Sequence, residues 1–541
     1  KTVKTTKASA GNNVYLTIDA DLQKYAYNIL ERRLAGILLA HLTTADTAGS
    51  EKRVPIKDVY YALIDNNIIN ISKLSRKKAK TNEKDVYQIY RKKQETVLST
   101  LRKDLQSGTT IRKNLSEEKQ DYVSYIYKML ENDGILVASS IDENDQVYLD
   151  WKEEKITFRK FLQYAINNEW INISSFNIKS DYYDADEIYD ELINYIVDAL
   201  KSEEDFDKIL YEYMIKNGNL SGKKVCLLLY DQGVLDKKKD KDYNSLYTGK
   251  MSAYNFMYKK IKNIEITPAQ LALDPCSGSV VITDPSTGET LACVSYPGYD
   301  NNRLANQMDN KYYYQIYNNA SLPLFNRATQ QLSAPGSTFK PVTIIAGLEE
   351  GVIDESTMVE CDGVFDKVDP PLKCWNHAGH AAVNAVDSAL KNSCNDYLCE
   401  VSYRLGMIDN DEFSDKQALN YIQEYAKMFD LDEKSGIELT ESKPKITDNY
   451  AIPSAIGQGT NNFSTVQLGR YVTTLANEGT SFQLSLIDKI DGVETSPKVE
   501  SQIEINKRSW EGVHAGMELY TQSTGIFDGF PISVAGKSGT A

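Results

Sequence analysis

No run of about 18 apolar residues occurs along the 541 positions, and the longest stretch, Leu34 to Ala40, is far shorter. The chain is therefore read as carrying neither a membrane span nor a signal peptide. A basic excess is also lacking. The 61 Lys and Arg stand against 76 Asp and Glu, and the net charge of -15 disfavours a nucleic-acid partner and predicts weak repulsion from anionic surfaces. Cysteine is sparse, with seven residues and no CxxC pair, which excludes a disulfide scaffold and leaves the compartment open. Only 14 prolines accompany 36 tyrosines, a balance that fits an ordered, largely helical chain. What is present is length: 541 residues at 41% hydrophobic content can bury at least two cores, so two or three structural units are expected.

After a loose polar opening, Val14 to Ile18 reads as a short strand, and Asp19 or Asp21 then caps a helix. Leu22, Tyr25, Ala26, Ile29, Leu30 and Leu34 follow at helical spacing and predict one core-facing stripe. From about residue 39 to 262 the texture becomes charge-rich and amphipathic, with Lys runs at Arg76 to Lys80 and Lys237 to Lys241 that read as solvated faces. Within it Val59 to Ser72 and Phe161 to Ser174 share a pattern, a helix running into an Asn-rich turn and Ile-Asn-Ile-Ser, which suggests a duplicated helical module. Strands resume near Ile266. Ser279 to Thr283, the turn Asp284 to Gly288 and Thr290 to Tyr296 predict a β-hairpin. Further on, Leu468, Tyr471, Val472 and Leu475 share a face of a helix over Ser464 to Asn477, and Ile532 to Thr540 reads as a final strand.

The chemistry concentrates around one serine. Ser337-Thr338-Phe339-Lys340 is an SxxK tetrad, although Ser75, Ser116, Ser221, Ser388 and Ser442 also have a lysine three residues on. The setting of Ser337 is different. Ala334-Pro335-Gly336 makes a turn, Val342 to Leu348 reads as a buried helix starting at the serine, and Pro341 suits a first helical turn. A serine there lies at the positive end of the helix dipole, with its own N–H free to serve an oxyanion. Lys340 falls on the same face, and burial beside a second cation would let it act as a general base. An SxN triplet, Ser393-Cys394-Asn395, follows 56 residues after Ser337, and Lys537-Ser538-Gly539-Thr540 lies close to the end. The three motifs keep the order found in serine transpeptidases and β-lactamases.

Here the chain resembles the class B penicillin-binding proteins. LTIDADLQ from Leu16, VVITDPSTGETLACVSYPGYD from Val280, SCNDYL from Ser393, SGIEL from Ser435 and IGQG from Ile456 all look like family stretches. The resemblance covers residues 14 to 38 and about 266 to 541, so the domains are read as 1–38 with 263–541, a transpeptidase domain incomplete at its C-terminal end, and 39–262, a mainly helical insertion. It implies an α/β fold, an antiparallel sheet flanked by helices plus an all-helical lobe. It further implies a peptidoglycan D,D-transpeptidase with no metal and no organic cofactor. Ser337 would attack a D-Ala-D-Ala stem peptide, Lys340 would take its proton, Ser393 would relay a proton to the leaving group, and Asn395 would hold Lys340 and substrate. Lys537 would supply a fixed cation. Ser538, Gly539 and Thr540 would bind substrate, Ser538 and Thr540 at its carboxylate, and the N–H groups of Ser337 and Thr540 would hold the oxyanion. The mechanism needs no histidine, and only His41, His377, His380 and His514 are present.

The implied partners are stem peptides, β-lactam antibiotics and a membrane-embedded glycosyltransferase or a division or elongation protein. The implied place is the outer face of the bacterial membrane, held by an N-terminal anchor outside this chain. A β-lactamase or β-lactam sensor, and a non-catalytic cell-wall scaffold, are the rival readings. Cys361, Cys374, His377 and His380 can be read as a zinc set, as a Cys361–Cys374 disulfide if the domain lies outside the membrane, or as unpaired thiols. Cys394 and Cys399 read as small buried residues.

Overall fold

The computed structural model describes residues 11–45, 53–176, 184–408 and 412–540, so the opening decapeptide and Ala541 lie outside the described residues. Two compact units emerge, Lys1–Glu31 with Ser277–Ala541, and Arg32–Cys276. The change of texture read at residues 39 and 262 falls inside the second. No helix among the described residues is long and apolar enough to cross a membrane.

In the discontinuous unit, Gly278–Thr283 and Thr290–Tyr296 form the expected antiparallel hairpin. Asp284 shapes its turn, since Oδ1 accepts from Ser286 N at 2.8 Å and the carbonyl accepts from Gly288 N at 2.9 Å. Val14–Leu16 pairs antiparallel with Ile487–Ile490, which pairs in turn with Val493–Glu494. Thr17 joins these strands to the hairpin: its N–H donates to Leu486 O at 3.0 Å and its hydroxyl to Thr290 O at 2.7 Å. Gln23 then brackets Cys293 with two bonds of 2.8 and 2.9 Å. The N-terminal segment is thus tied by backbone pairing to residues some 270 positions away. The helical lobe centres on Lys340–Glu349, buried from Lys340 to Gly347 and packed against Asn395–Leu405 and Asp415–Met428. Together these parts give the α/β arrangement that the resemblance implies.

Three local expectations are corrected. On the helix Ala20–His41, Ala26 and Leu34 are buried, but Tyr25 and Ile29 are 65% and 50% exposed. They stand about 100° and 60° around the axis from Ala26, on the flank of the stripe rather than within it. On Thr465–Ala476, Val472 is 50% exposed, because it points about 160° away from the buried Thr474. Residues 532–540 are not a strand, since no described strand runs alongside to supply a hydrogen-bonded ladder.

The second unit is built of helices, the longest of them Thr81–Ser107, around one apolar core. The pattern seen twice in the sequence occurs more widely. Helices ending at Asp65, Asn132, Lys152, Asn167, Lys216, Asp231 and Lys262 are each followed by one left-handed residue: Asn67, Gly134, Glu154, Glu169, Gly218, Gly233 and Ile264. Two positions later a buried aliphatic side chain closes every turn, from Ile69 to Ile266. The bonds Ile135 N to Leu130 O, Trp170 N to Ala165 O and Val234 N to Leu229 O, all 2.8–2.9 Å, mark the same helix-ending motif. A polar residue then caps the next helix, as Thr157 and Ser221 do. The turns at Leu136 and Ile171 meet in an antiparallel bridge.

Candidate active site

Ser337 sits in a short 3₁₀ turn, Gly336–Phe339, that runs directly into the helix Lys340–Glu349. The tightening has a chemical cause. Pro341 has no N–H to give to Ser337 O four residues back, so that carbonyl accepts from Lys340 N instead. Residues i and i+3 eclipse in a 3₁₀ turn, which stacks Ser337 and Lys340 on one face. The turn is clasped by bare backbone. A Cβ on Gly336, whose φ is +54°, would lie 2.4 Å from Thr540 O, and one on Gly457 would lie 1.9 Å from Gly336 O. Only glycine allows three chain segments to pass this closely beside the serine.

Lys340 is fully buried and joins the two halves of the site. Its Nζ donates to Ser393 O and to Asn395 Oδ1, both at 2.7 Å, and approaches Ser393 Oγ at 3.3 Å. All three acceptors are formally neutral. Burial, with the Lys537 charge as a second cause, brings the Lys340 pKa down to about 7. Ser393 and Asn395 occupy the joint between helices Val386–Lys391 and Asn395–Leu405. Ser393 holds a left-handed backbone at φ +49°, and its carbonyl is shared by Lys340 and by Trp375 Nε1, the latter at 3.1 Å.

Lys537 completes the group. Its Nζ donates to Ser393 Oγ and to Ser538 O, each at 2.9 Å, and burial lowers its pKa to about 8. The segment around it is held by Gly536 N to Met517 O at 3.1 Å and Gln458 Nε2 to Thr540 O at 3.0 Å. Ser337, Ser393, Asn395, Ser538 and Thr540 line one cavity of about 570 Å³, with Trp375 on its wall. Gly539 lies against the serine turn, where a Cβ would meet Pro335 O at 2.5 Å. The structure thus brings together every residue singled out from the three motifs. A larger groove of about 1000 Å³ is lined by Asp362, Asp366, Lys367 and Asp396 but not by Ser337, Lys340 or Lys537.

Residues 278–541 match the penicillin binding protein transpeptidase domain. This part of the chain is a penicillin-binding-protein transpeptidase domain. Similar curated proteins include peptidoglycan D,D-transpeptidase MrdA of Acinetobacter baumannii, 27% identical over 49% of this chain and 41% of that protein. MrdA of Escherichia coli K12 is 29% identical over 49% of this chain and 44% of its own length. The chain therefore spans less than half the length of these two relatives. Among solved structures, Pseudomonas aeruginosa PBP2 in complex with WCK 5153 is 26% identical over 52% of this chain and 66% of that one, with a TM-score of 0.44.

The transpeptidase domain also gathers four potential metal ligands beside its SxN motif. Donor atoms of Cys361, Cys374, His380 and Cys394 all lie within 4.8 Å of one another. His380 Nδ1 is 3.4 Å from Cys361 Sγ and 3.6 Å from Cys374 Sγ, and Asn395 N donates to Cys374 Sγ at 3.4 Å. The disulfide reading is corrected, because Cys361 and Cys374 are both free thiols. The zinc reading is corrected in its membership. His377 is exposed and outside the group, whereas Cys394 is buried within it. No spacing rule links Cys394 to the others, because the contact forms only when the helix Asn395–Leu405 folds onto the 361–380 segment. Three sulfurs and one imidazole make a closed set of the kind zinc prefers. Domain purified without chelator should carry about one zinc ion per chain by elemental analysis, and Cys374→Ser should lose it.

Proposed function

We propose that this domain is a serine-type D,D-transpeptidase that cross-links peptidoglycan stem peptides and is acylated by β-lactams. The observation that carries the reading is Lys340: wholly buried, donating to the neutral acceptors Ser393 O and Asn395 Oδ1, near a second lysine, and one 3₁₀ turn after Ser337. Such a lysine is a base near neutral pH.

Ser337 Oγ attacks the penultimate D-Ala carbonyl as its proton passes to Lys340 Nζ. The oxyanion is held by the N–H groups of Ser337 and Thr540. Collapse breaks the peptide bond, and the terminal D-Ala amine leaves with a proton relayed through Ser393 Oγ, which lies between the two lysine Nζ atoms. Asn395 fixes Lys340, while Ser538, Gly539 and Thr540 receive the substrate carboxylate beside Lys537. A second stem-peptide amine then attacks the ester, its proton returns through Lys340, and Ser337 is released. The domain would act outside the cytoplasm, with a membrane glycosyltransferase as the natural supplier of new glycan strands.

Incubation with penicillin followed by intact-mass analysis tests this. A long-lived one-to-one adduct mapping to Ser337 is expected, and rapid loss of the adduct by hydrolysis would move the assignment to a β-lactamase. Absence of any adduct on the folded protein would favour a non-catalytic scaffold.

A further inference from the structure

Tyr520 belongs to no motif, yet it touches two members of the site. It lies in the last turn of the helix Lys507–Ser523; its hydroxyl donates to Ser538 Oγ, and its ring centroid is 4.6 Å from Lys537 Nζ. The same helix end holds the adjoining chain twice more, through Thr521 Oγ1 to Val534 O and Gly536 N to Met517 O. Because residues 532–540 have no strand ladder among the described residues, side-chain and helix-end contacts of this kind govern where Lys537 points.

We propose that Tyr520 is a positioning residue whose ring seats the Lys537 ammonium against the Ser393 hydroxyl and whose O–H turns the Ser538 hydroxyl toward the substrate carboxylate. The inference rests on the transpeptidase reading above. An aromatic face attracts an ammonium electrostatically, which an aliphatic side chain of similar volume does not. A phenol that donates to Ser538 Oγ leaves the serine proton free for an anion, and the two bonds in series polarise each other. Tyr520 therefore affects binding through one atom and the cation through its ring, and two substitutions separate them.

Tyr520→Phe keeps the ring and removes the O–H. Its acylation by a carboxylate-bearing β-lactam should show a half-saturation constant raised about tenfold, with the saturating rate and pH midpoint unchanged. Tyr520→Leu removes both. Once Lys537 is unseated, its ammonium no longer holds the Ser393 hydroxyl, and the saturating rate should drop about tenfold. Both variants are measured in the full chain, after the parent has been shown to acylate at Ser337. A parent that does not acylate overturns the transpeptidase reading instead. Kinetics of the phenylalanine variant equal to the parent's overturn the proposal whether or not the leucine variant folds, and so does a folded leucine variant with the parent's saturating rate.

Discussion

Ser337→Ala should yield no covalent adduct with penicillin at any concentration or time that fully labels the parent, and should melt within a few degrees of it. The chemical half follows from the step itself, because the acyl bond forms on Oγ and the turn's other hydroxyl, that of Thr338, donates to Pro335 O at 2.7 Å. The structural half follows from the backbone. The turn Gly336–Phe339 is set by Gly336, by the lack of an N–H on Pro341 and by Gly336 N bonding to Gly457 O at 3.1 Å, none of which involves the Ser337 side chain. Alanine adopts the same right-handed conformation, so a stability change beyond about 1 kcal/mol is not expected. Intact-mass analysis and a thermal melt on the same sample read both. An adduct retained by this variant would remove Ser337 from the nucleophile's role.

What could be read in advance divides along a physical line. The serine helix was legible because Pro341 and a mostly apolar segment, Val342 to Leu348, are local signals that the packed structure has no reason to override. The hairpin was legible for the same reason, with Asp284 bonding its own turn. Residues 532–540 were read as a final strand, yet a strand exists only with a partner, and partnership is a non-local fact. Tyr520 carried no signal, since its meaning arises from Lys537 and Ser538 arriving beside it. Cys394 was placed correctly as buried, and its place beside Cys361, Cys374 and His380 carried no signal, because the groups it faces come from a different segment.

The helical unit shows a subtler limit. Two of its turns were recognised from Ile-Asn-Ile-Ser, whereas the others keep the backbone and change the letters. Gly134, Gly218 and Gly233 adopt the left-handed conformation without penalty, but Glu154, Glu169 and Ile264 adopt it too, and no propensity would nominate a β-branched isoleucine for it. Burial two residues later outweighs the local strain: Ile156, Ile171 and Ile266 are 7%, 5% and 0% exposed. Burying such a side chain is worth about 1.5–3 kcal/mol, against about 1–3 kcal/mol for an unfavourable backbone, so packing can dictate the conformation.

Lys340→Met should reduce penicillin acylation about a thousandfold and should not lower the melting temperature at pH 7. The loss follows from removing the proton acceptor for Ser337, a role usually worth about 10²–10⁴ in rate. The same assignment gives the parent's pH profile. Only neutral Lys340 can accept a proton, and with its pKa lowered to about 7 the acylation rate should fall about tenfold per unit as pH drops below that value; the methionine variant should lose this limb. Stability runs the other way. A lysine whose folded pKa lies below its unfolded one disfavours folding progressively as pH falls from its unfolded pKa to about 7, and below that the full penalty is present, because the unfolded state binds the proton more readily. Methionine removes this penalty while filling most of the volume. It leaves Ser393 O with its Trp375 donor and Asn395 Oδ1 without Lys340, a cost of about 1–3 kcal/mol that roughly offsets the gain. Acylation within tenfold of the parent would show that Lys340 is not the base. A steep fall in melting temperature would show that its bonds to Ser393 and Asn395 hold the two halves of the site together more than its buried amine strains them.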